Sequence, residues 1–164
     1  MTIVFFAHGG EAFLNEVTFA LLSYYQHHRI DENKIVIYTD NVAHFQHYLP
    51  PEIQYVSVTP EQVKQWRGTI DFVHRIKIEV LRDAFERFPN QIFLYLDSDV
   101  YFKENISFLA QKIQSGTPVM SLKEGAIFHS KLRHFNTLAK YLQQHQYTIA
   151  VTHQLIVSHT QAMY

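Results

Sequence analysis

The sequence predicts an α/β protein: a single domain over residues 1–164, with a mainly parallel central sheet flanked by helices. Three observations predict it. Short apolar, β-branched runs alternate with longer stretches whose apolar residues recur at three- and four-residue spacing. The opening strand–helix–strand unit implies a parallel pair, because parallel neighbours need a long crossover. The run Ile92-Phe93-Leu94-Tyr95-Leu96 is apolar throughout, the pattern of a strand buried on both faces, and it empties onto Asp97-Ser98-Asp99.

In chain order, residues 3–7 read as a buried first strand, broken by His8-Gly9-Gly10. Residues 11–28 read as a helix with Phe13, Leu14, Val17, Leu21 and Tyr24 facing inward. Acidic Glu11 and Glu16 near its start, and His27, His28 and Arg29 at its end, suit the helix dipole. Ile35-Val36-Ile37-Tyr38 is a second strand, ending at Thr39-Asp40. A short helix over 42–48 and a strand over 55–58 follow. Thr59, Pro60 and Gln62 then form an N-cap, a proline start and a capping-box partner. Residues 70–88 carry a strong helical stripe through Phe72, Val73, Ile76, Val80, Leu81, Ala84, Phe85 and Phe88. Beyond the acidic turn the expectations are a helix over 106–114, a strand over 119–122, a helix over 131–145 and a last strand over 149–157.

Composition removes several classes of function. The 164 residues are 47% apolar and 15% aromatic, enough for one sizeable core and too few for two domains. A formal net charge of −1 gives no electrostatic basis for binding nucleic acid. Cysteine is absent, so disulfides, thiolate nucleophiles and cysteine zinc sites are excluded. No stretch approaches the roughly 20 apolar residues that span a bilayer, and the first apolar run lacks the basic start of a signal peptide. The expected location is the cytoplasm, with peripheral membrane contact left open.

The chemistry centres on Asp97 and Asp99. A buried strand cannot hold unpaired carboxylates, so they belong at its carboxyl end, the ligand edge of an open α/β sheet. Two hard oxygen donors so placed suit Mg²⁺ or Mn²⁺ carrying phosphates; the plainer alternative is a solvated turn. Arg75 and Lys77, on the preceding helix, could pair with diphosphate oxygens or be ordinary surface charges. Ala7-His8-Gly9 and Asp40 end the first two strands at the same edge, where a nucleotide base could lie against bare backbone and Asp40 could accept its hydrogen bond. The phosphate-loop and dinucleotide glycine patterns are absent. The eleven histidines form no metal motif, although His153 or His159 could be a third ligand beside Asp97 and Asp99.

The segments Phe72-Val73-His74-Arg75-Ile76-Lys77-Ile78-Glu79-Val80-Leu81, Phe88-Pro89 and Phe93-Leu94-Tyr95-Leu96-Asp97-Ser98-Asp99-Val100 together resemble the GT-A class of nucleotide-diphospho-sugar transferases, most nearly its family 8 style. The resemblance implies a Rossmann-like fold and transfer of a sugar, the UDP-linked kind by family habit, to a glycan, lipid or protein acceptor. It implies that Asp97 and Asp99 hold Mn²⁺ or Mg²⁺, with Asp97 and Ser98 beside the donor. It further implies that Arg75 helps hold the donor and that the backbone around His8 cradles the base. Residues 1–125 would be the donor-binding half and 126–164 an incomplete acceptor side. No aspartate follows Asp99, which leaves few groups to act as a base on the acceptor. A non-catalytic nucleotide-sugar binder or partner subunit is therefore the alternative. A haloacid-dehalogenase-type phosphatase, with Asp97 as nucleophile and Asp99 as acid, is a third reading that lacks its later acidic ligands.

Overall fold

The computed structural model describes residues 1–114, 140 and 157–158. Strand β1 (Thr2–Ala7) leads through helix α1 (Glu11–Tyr25) to β2 (Lys34–Thr39). Helix α2 (Val42–Tyr48) and β3 (Gln54–Ser57) follow, then α3 (Pro60–Arg67), α4 (Arg75–Arg87), β4 (Phe93–Leu96) and α5 (Ser107–Gln114). A two-residue β5 (Val157–Ser158) completes the described elements. The expected strand over 119–122, the helix over 131–145 and most of the expected last strand lie outside the described residues, as do His153 and His159.

The sheet has the order β3-β2-β1-β4-β5, and every neighbouring pair is parallel. It is a Rossmann-like, doubly wound α/β arrangement. The alternation of each strand divides the core into two layers. Ile3, Phe5, Ala7, Ile35, Ile37, Leu94 and Leu96 face α1, α2 and α5. Val4, Val36, Tyr38, Phe93 and Tyr95 face α3 and α4. Strand β1 lies between β2 and β4, and Ile3, Val4, Phe5 and Ala7 are fully buried. Because connections run outward from β1 in one direction and later return to its other side, the strand order reverses between β1 and β4. Ligands of this architecture bind outside the carboxyl ends at such a reversal.

Helix α3 starts as its sequence dictates. Thr59 Oγ1 accepts from the Gln62 backbone N–H at 3.2 Å, Gln62 Oε1 accepts from the Thr59 N–H at 2.9 Å, and Pro60 supplies a preset first turn. Helix α4 departs from expectation. It begins at Arg75 rather than at residue 70. Gly68 and Asp71 both have positive φ, 70° and 52°, which a continuous right-handed helix cannot accommodate. The Asp71 carboxylate pairs with the Arg67 guanidinium at 2.7 Å and fastens this turn. Phe72 and Val73 consequently leave the apolar stripe and stand 49% exposed, and Phe85 is also exposed. Glu79 shows the opposite departure: it is buried, and the Arg75 and Arg82 guanidiniums both meet its carboxylate.

The segment after β4 is fastened along α1. The Phe102 N–H donates to Ser23 Oγ at 2.9 Å, and Asn105 Nδ2 donates to the His27 carbonyl at 3.1 Å. His28, expected at the helix end, has a fully buried side chain. Its Nε2 accepts the Ile106 N–H at 3.0 Å, so its proton sits on Nδ1, 2.8 Å from Glu32 Oε2. The ring stacks on Tyr24 with centroids 4.2 Å apart. Helix α1 ends at Tyr25, and the residues just beyond it serve as this anchor.

Two expected outcomes follow from these contacts. Hydrogen bonds from Ser107 and then His28 hold the Glu32 carboxyl down at about 2, from an ordinary 4.5. A carboxyl depressed on folding stabilises fully above its unfolded value and ceases to do so as pH falls through its folded value. Glu32→Gln should therefore flatten the loss of stability between pH 4.5 and 2, read from urea unfolding against pH; an unchanged slope would contradict the assignment. Gly68 combines φ 70° with ψ −173°, a region essentially confined to glycine, and an added Cβ would collide with the Arg75 guanidinium. Gly68→Ala should cost about 1–3 kcal/mol in the same assay.

Candidate functional site

A cleft of about 550 Å³ opens at the reversal point. Each wall comes from an identifiable element. Strand β1 contributes Phe6 and, just past its end, His8; β4 contributes Tyr95 and then Asp97, Ser98 and Asp99. Helix α1 brings Phe13 and Glu16, one helical turn apart and hence on one face. The turn between α3 and α4, with the helix it feeds, brings Val73, His74, Ile76 and Lys77.

The expected residues divide into two groups. His8, Lys77, Asp97, Ser98 and Asp99 line this cleft together. Ala7, Gly9, Asp40 and Arg75 are not among its lining residues. Ala7 is wholly buried in the sheet. Asp40 Oδ2 accepts the Gly9 N–H at 3.0 Å, holding Gly9 at a φ of 86° and tying the loop after β1 to the end of β2. Arg75 turns away to Glu79, at 3.0 Å, and lies over the bare backbone of Gly68. The basic group that reaches the carboxylates is Lys77, two residues further on.

Lys77 Nζ stands 2.6 Å from Asp97 Oδ1 and 2.8 Å from Oδ2. The pair is mostly shielded, with 23% of the lysine and 17% of the aspartate side chain exposed. Screening by water is weak in such a place, so the attraction exceeds that of a surface pair. Asp99 is exposed and lines the cleft. Ser98 Oγ donates to Glu16 Oε2 at 2.5 Å, which ties the acidic turn to α1. Burial, and secondarily the charge of Asp97, push the Tyr95 phenol upward, so it remains neutral at the cleft floor. His8 is nearly buried: its ring lies parallel to Phe6, and among the described residues Nε2 has no hydrogen-bond partner, with Asp40 Oδ2 at 3.7 Å.

Sequence reasoning did not single out Glu16, His74 or Phe13 as site residues. Phe13 was expected in the core, yet it is 51% exposed at the cleft. The available signal was position: Phe13 and Glu16 sit in the first turns of a helix that starts at the carboxyl edge. His74 gave no comparable signal, because the turn that places it depends on the backbone at Gly68 and Asp71.

Among the described residues, no group of three or more His, Asp or Glu side chains is clustered to hold a metal ion. Two carboxylates are nonetheless a sufficient protein contribution for Mg²⁺ or Mn²⁺ when phosphates and waters complete the shell. The exposed Asp99 oxygens and the hard-donor character of Asp97 fit such an ion.

Fold and cleft together define a doubly wound α/β protein with an acidic cleft at its sheet reversal. No protein-family model matches the chain, and no curated protein matches it. Among solved structures, the crystal structure of S. aureus TarS is similar to it, with a TM-score of 0.47 and 15% identity. That similarity covers 80% of this chain, which spans only 22% of the length of the other.

The Glu16–Ser98 contact yields an expected outcome. Glu16→Ala and Ser98→Ala should each destabilise, while the double variant should cost less than their sum by about 1–1.5 kcal/mol. A coupling near zero in urea unfolding would show that the acidic turn is positioned without α1.

Proposed function

We propose that this protein is a metal-dependent glycosyltransferase that takes a nucleoside-diphosphate sugar, with UDP as the nucleotide part. The observation that carries the reading is the convergence of Lys77, Asp97 and Asp99 on one cleft at the sheet reversal. A diphosphate needs cationic partners, and Lys77 is a compact charge on a flexible stem. Asp97 and Asp99 would hold Mn²⁺ or Mg²⁺, which when bound supplies charge neutralisation to a departing diphosphate. His153 or His159 would be a further ligand in this reading.

The chain's own residues account for the remaining tasks. Phe6, Phe13 and Val73 make part of the wall apolar and reduce water at the reacting end. Ser98, by donating to Glu16, keeps that carboxylate facing the cleft. There it can accept hydrogen bonds from sugar hydroxyls through its remaining lone pairs. The acceptor, whether glycan, lipid or protein, would approach from the open side near Asp99. Among the described residues no helix is long and apolar enough to cross a membrane.

Calorimetric titration with UDP, with and without Mn²⁺, tests the reading. Binding that strengthens with the ion is expected. Asp99→Asn should weaken it at least tenfold, which corresponds to about 1.4 kcal/mol. No heat with any nucleotide would remove the proposal. Release of UDP from a panel of UDP-sugars then distinguishes a transferase from a protein that only binds the donor. Phosphomonoester turnover abolished in Asp97→Asn would instead favour the phosphatase.

A further inference from the structure

The ammonium of Lys77 covers both oxygens of Asp97, at 2.6 and 2.8 Å. Those are the atoms through which Asp97 would ligate a cation. Two positive charges cannot share them at such distances without strong repulsion, least of all where the pair is shielded from water. The cleft also holds the carboxylates of Glu16 and Asp99. The other charged basic side chain on its described wall, Arg67, is paired with Asp71 at 2.7 Å. Among the described residues, Lys77 is therefore the ammonium that balances the acidic turn when the cleft contains no ligand.

We infer that Lys77 is a resident counter-ion that competes with divalent metal for Asp97, and that a bound diphosphate draws it away. The identity of that anion rests on the proposed function; the competition itself rests only on the Lys77–Asp97 contact. The side-chain chemistry suits an exchange. A lysine has a long rotatable stem and three donors, so it can turn from a carboxylate to a phosphate oxygen while α4 stays in place. An arginine would form a planar two-point pair and release the carboxylate less readily. Once Lys77 has a phosphate partner, its charge no longer opposes a cation at Asp97 and Asp99. Metal and diphosphate then favour one another. Linkage requires the effect to be reciprocal: each must tighten the other by the same factor. A cation without the diphosphate meets a carboxylate already neutralised.

Electron paramagnetic resonance of free Mn²⁺, recorded during titration of the full chain, tests the inference. In the absence of any nucleotide, Lys77→Met should bind Mn²⁺ at least tenfold more tightly than the wild type. The gain should vanish in Lys77→Met/Asp97→Asn. Equal affinity of wild type and Lys77→Met overturns the competition. A gain that survives loss of the Asp97 charge also overturns it, because the effect would then be general electrostatics. Inorganic pyrophosphate and UDP form the second arm. With the Mn²⁺–pyrophosphate complex that forms in solution accounted for, pyrophosphate should tighten Mn²⁺ binding to the wild type at least tenfold and by a clearly smaller factor in Lys77→Met, where only the phosphate oxygens that complete the metal's shell couple the two; equal factors overturn the exchange. This measurement on the wild type stands even if Lys77→Met fails to fold, and absence of mutual tightening there overturns the exchange. Coupling with pyrophosphate but no binding of UDP would remove the nucleotide-sugar reading and leave the role of Lys77 in place.

Discussion

The dominant constraint is that β1, β2 and β4 are walled by apolar side chains on both faces. Their interiors offer no solvent and almost no partner for a charge, so ionised groups are displaced to the strand ends. Tyr38 illustrates the rule at its limit. It is fully buried, and its hydroxyl reaches Asp83 Oδ2 on α4 at 2.7 Å. The same rule gathers His8, Asp97 and Asp99 at the carboxyl edge. Strand order then does the rest: β1 and β4 are neighbours, although their register partners, such as Thr2 and Phe93, lie 91 residues apart in sequence. A cleft lined from both is the geometric result of that pairing.

Charge balance within the cleft follows from the same constraint. Carboxylates forced to one edge repel one another unless something neutralises or fastens them. Three different answers are present. Asp97 has Lys77, Glu16 has the Ser98 hydroxyl, and Asp99 faces water. Asp40, at the next strand end, is satisfied by the Gly9 backbone. These differences assign distinct tasks to side chains that look equivalent in the sequence. The acid that fixes a loop, the acid that is ion-paired and the acid left to solvent cannot be told apart by residue type.

The sheet was legible in the sequence for a physical reason. Buried parallel strands require continuous apolar runs, and the runs at β1, β2 and β4 have no competing explanation. The capping box of α3 was equally legible, since Thr59, Pro60 and Gln62 act over three residues. The start of α4 was not, because apolar spacing continues through Phe72 and Val73 while the backbone has already turned at Gly68 and Asp71. Asp97, Ser98, Asp99, Lys77 and His8 could be anticipated from strand ends and a neighbouring basic helix. The divergence of Arg75 from Lys77 could not. Residues two apart on a helix point to different sides, and which side faces the cleft depends on the helix's rotation against the sheet. That rotation is set by Ile76, Val80, Leu81 and Ala84 together, a tertiary outcome rather than a local one.

The fastening of the post-β4 segment to α1 has a consequence for the order in which the molecule assembles. The contacts Ser98 to Glu16, Phe102 to Ser23 and Ile106 to His28 close sequence separations of 82, 79 and 78 residues. Each requires the chain to search for a distant partner before any reward is realised. Helix α1 and the β1–β2 pair involve much nearer neighbours and can form first. During synthesis, α1 must present Glu16, Ser23 and His28 well before the segment that binds them exists. Until that segment arrives, the face of α1 that receives it has only water as partner. The carboxylate turn is thus among the last features to acquire its shape, and its long-range ties make the geometry of the cleft a late reward of folding rather than a guide to it.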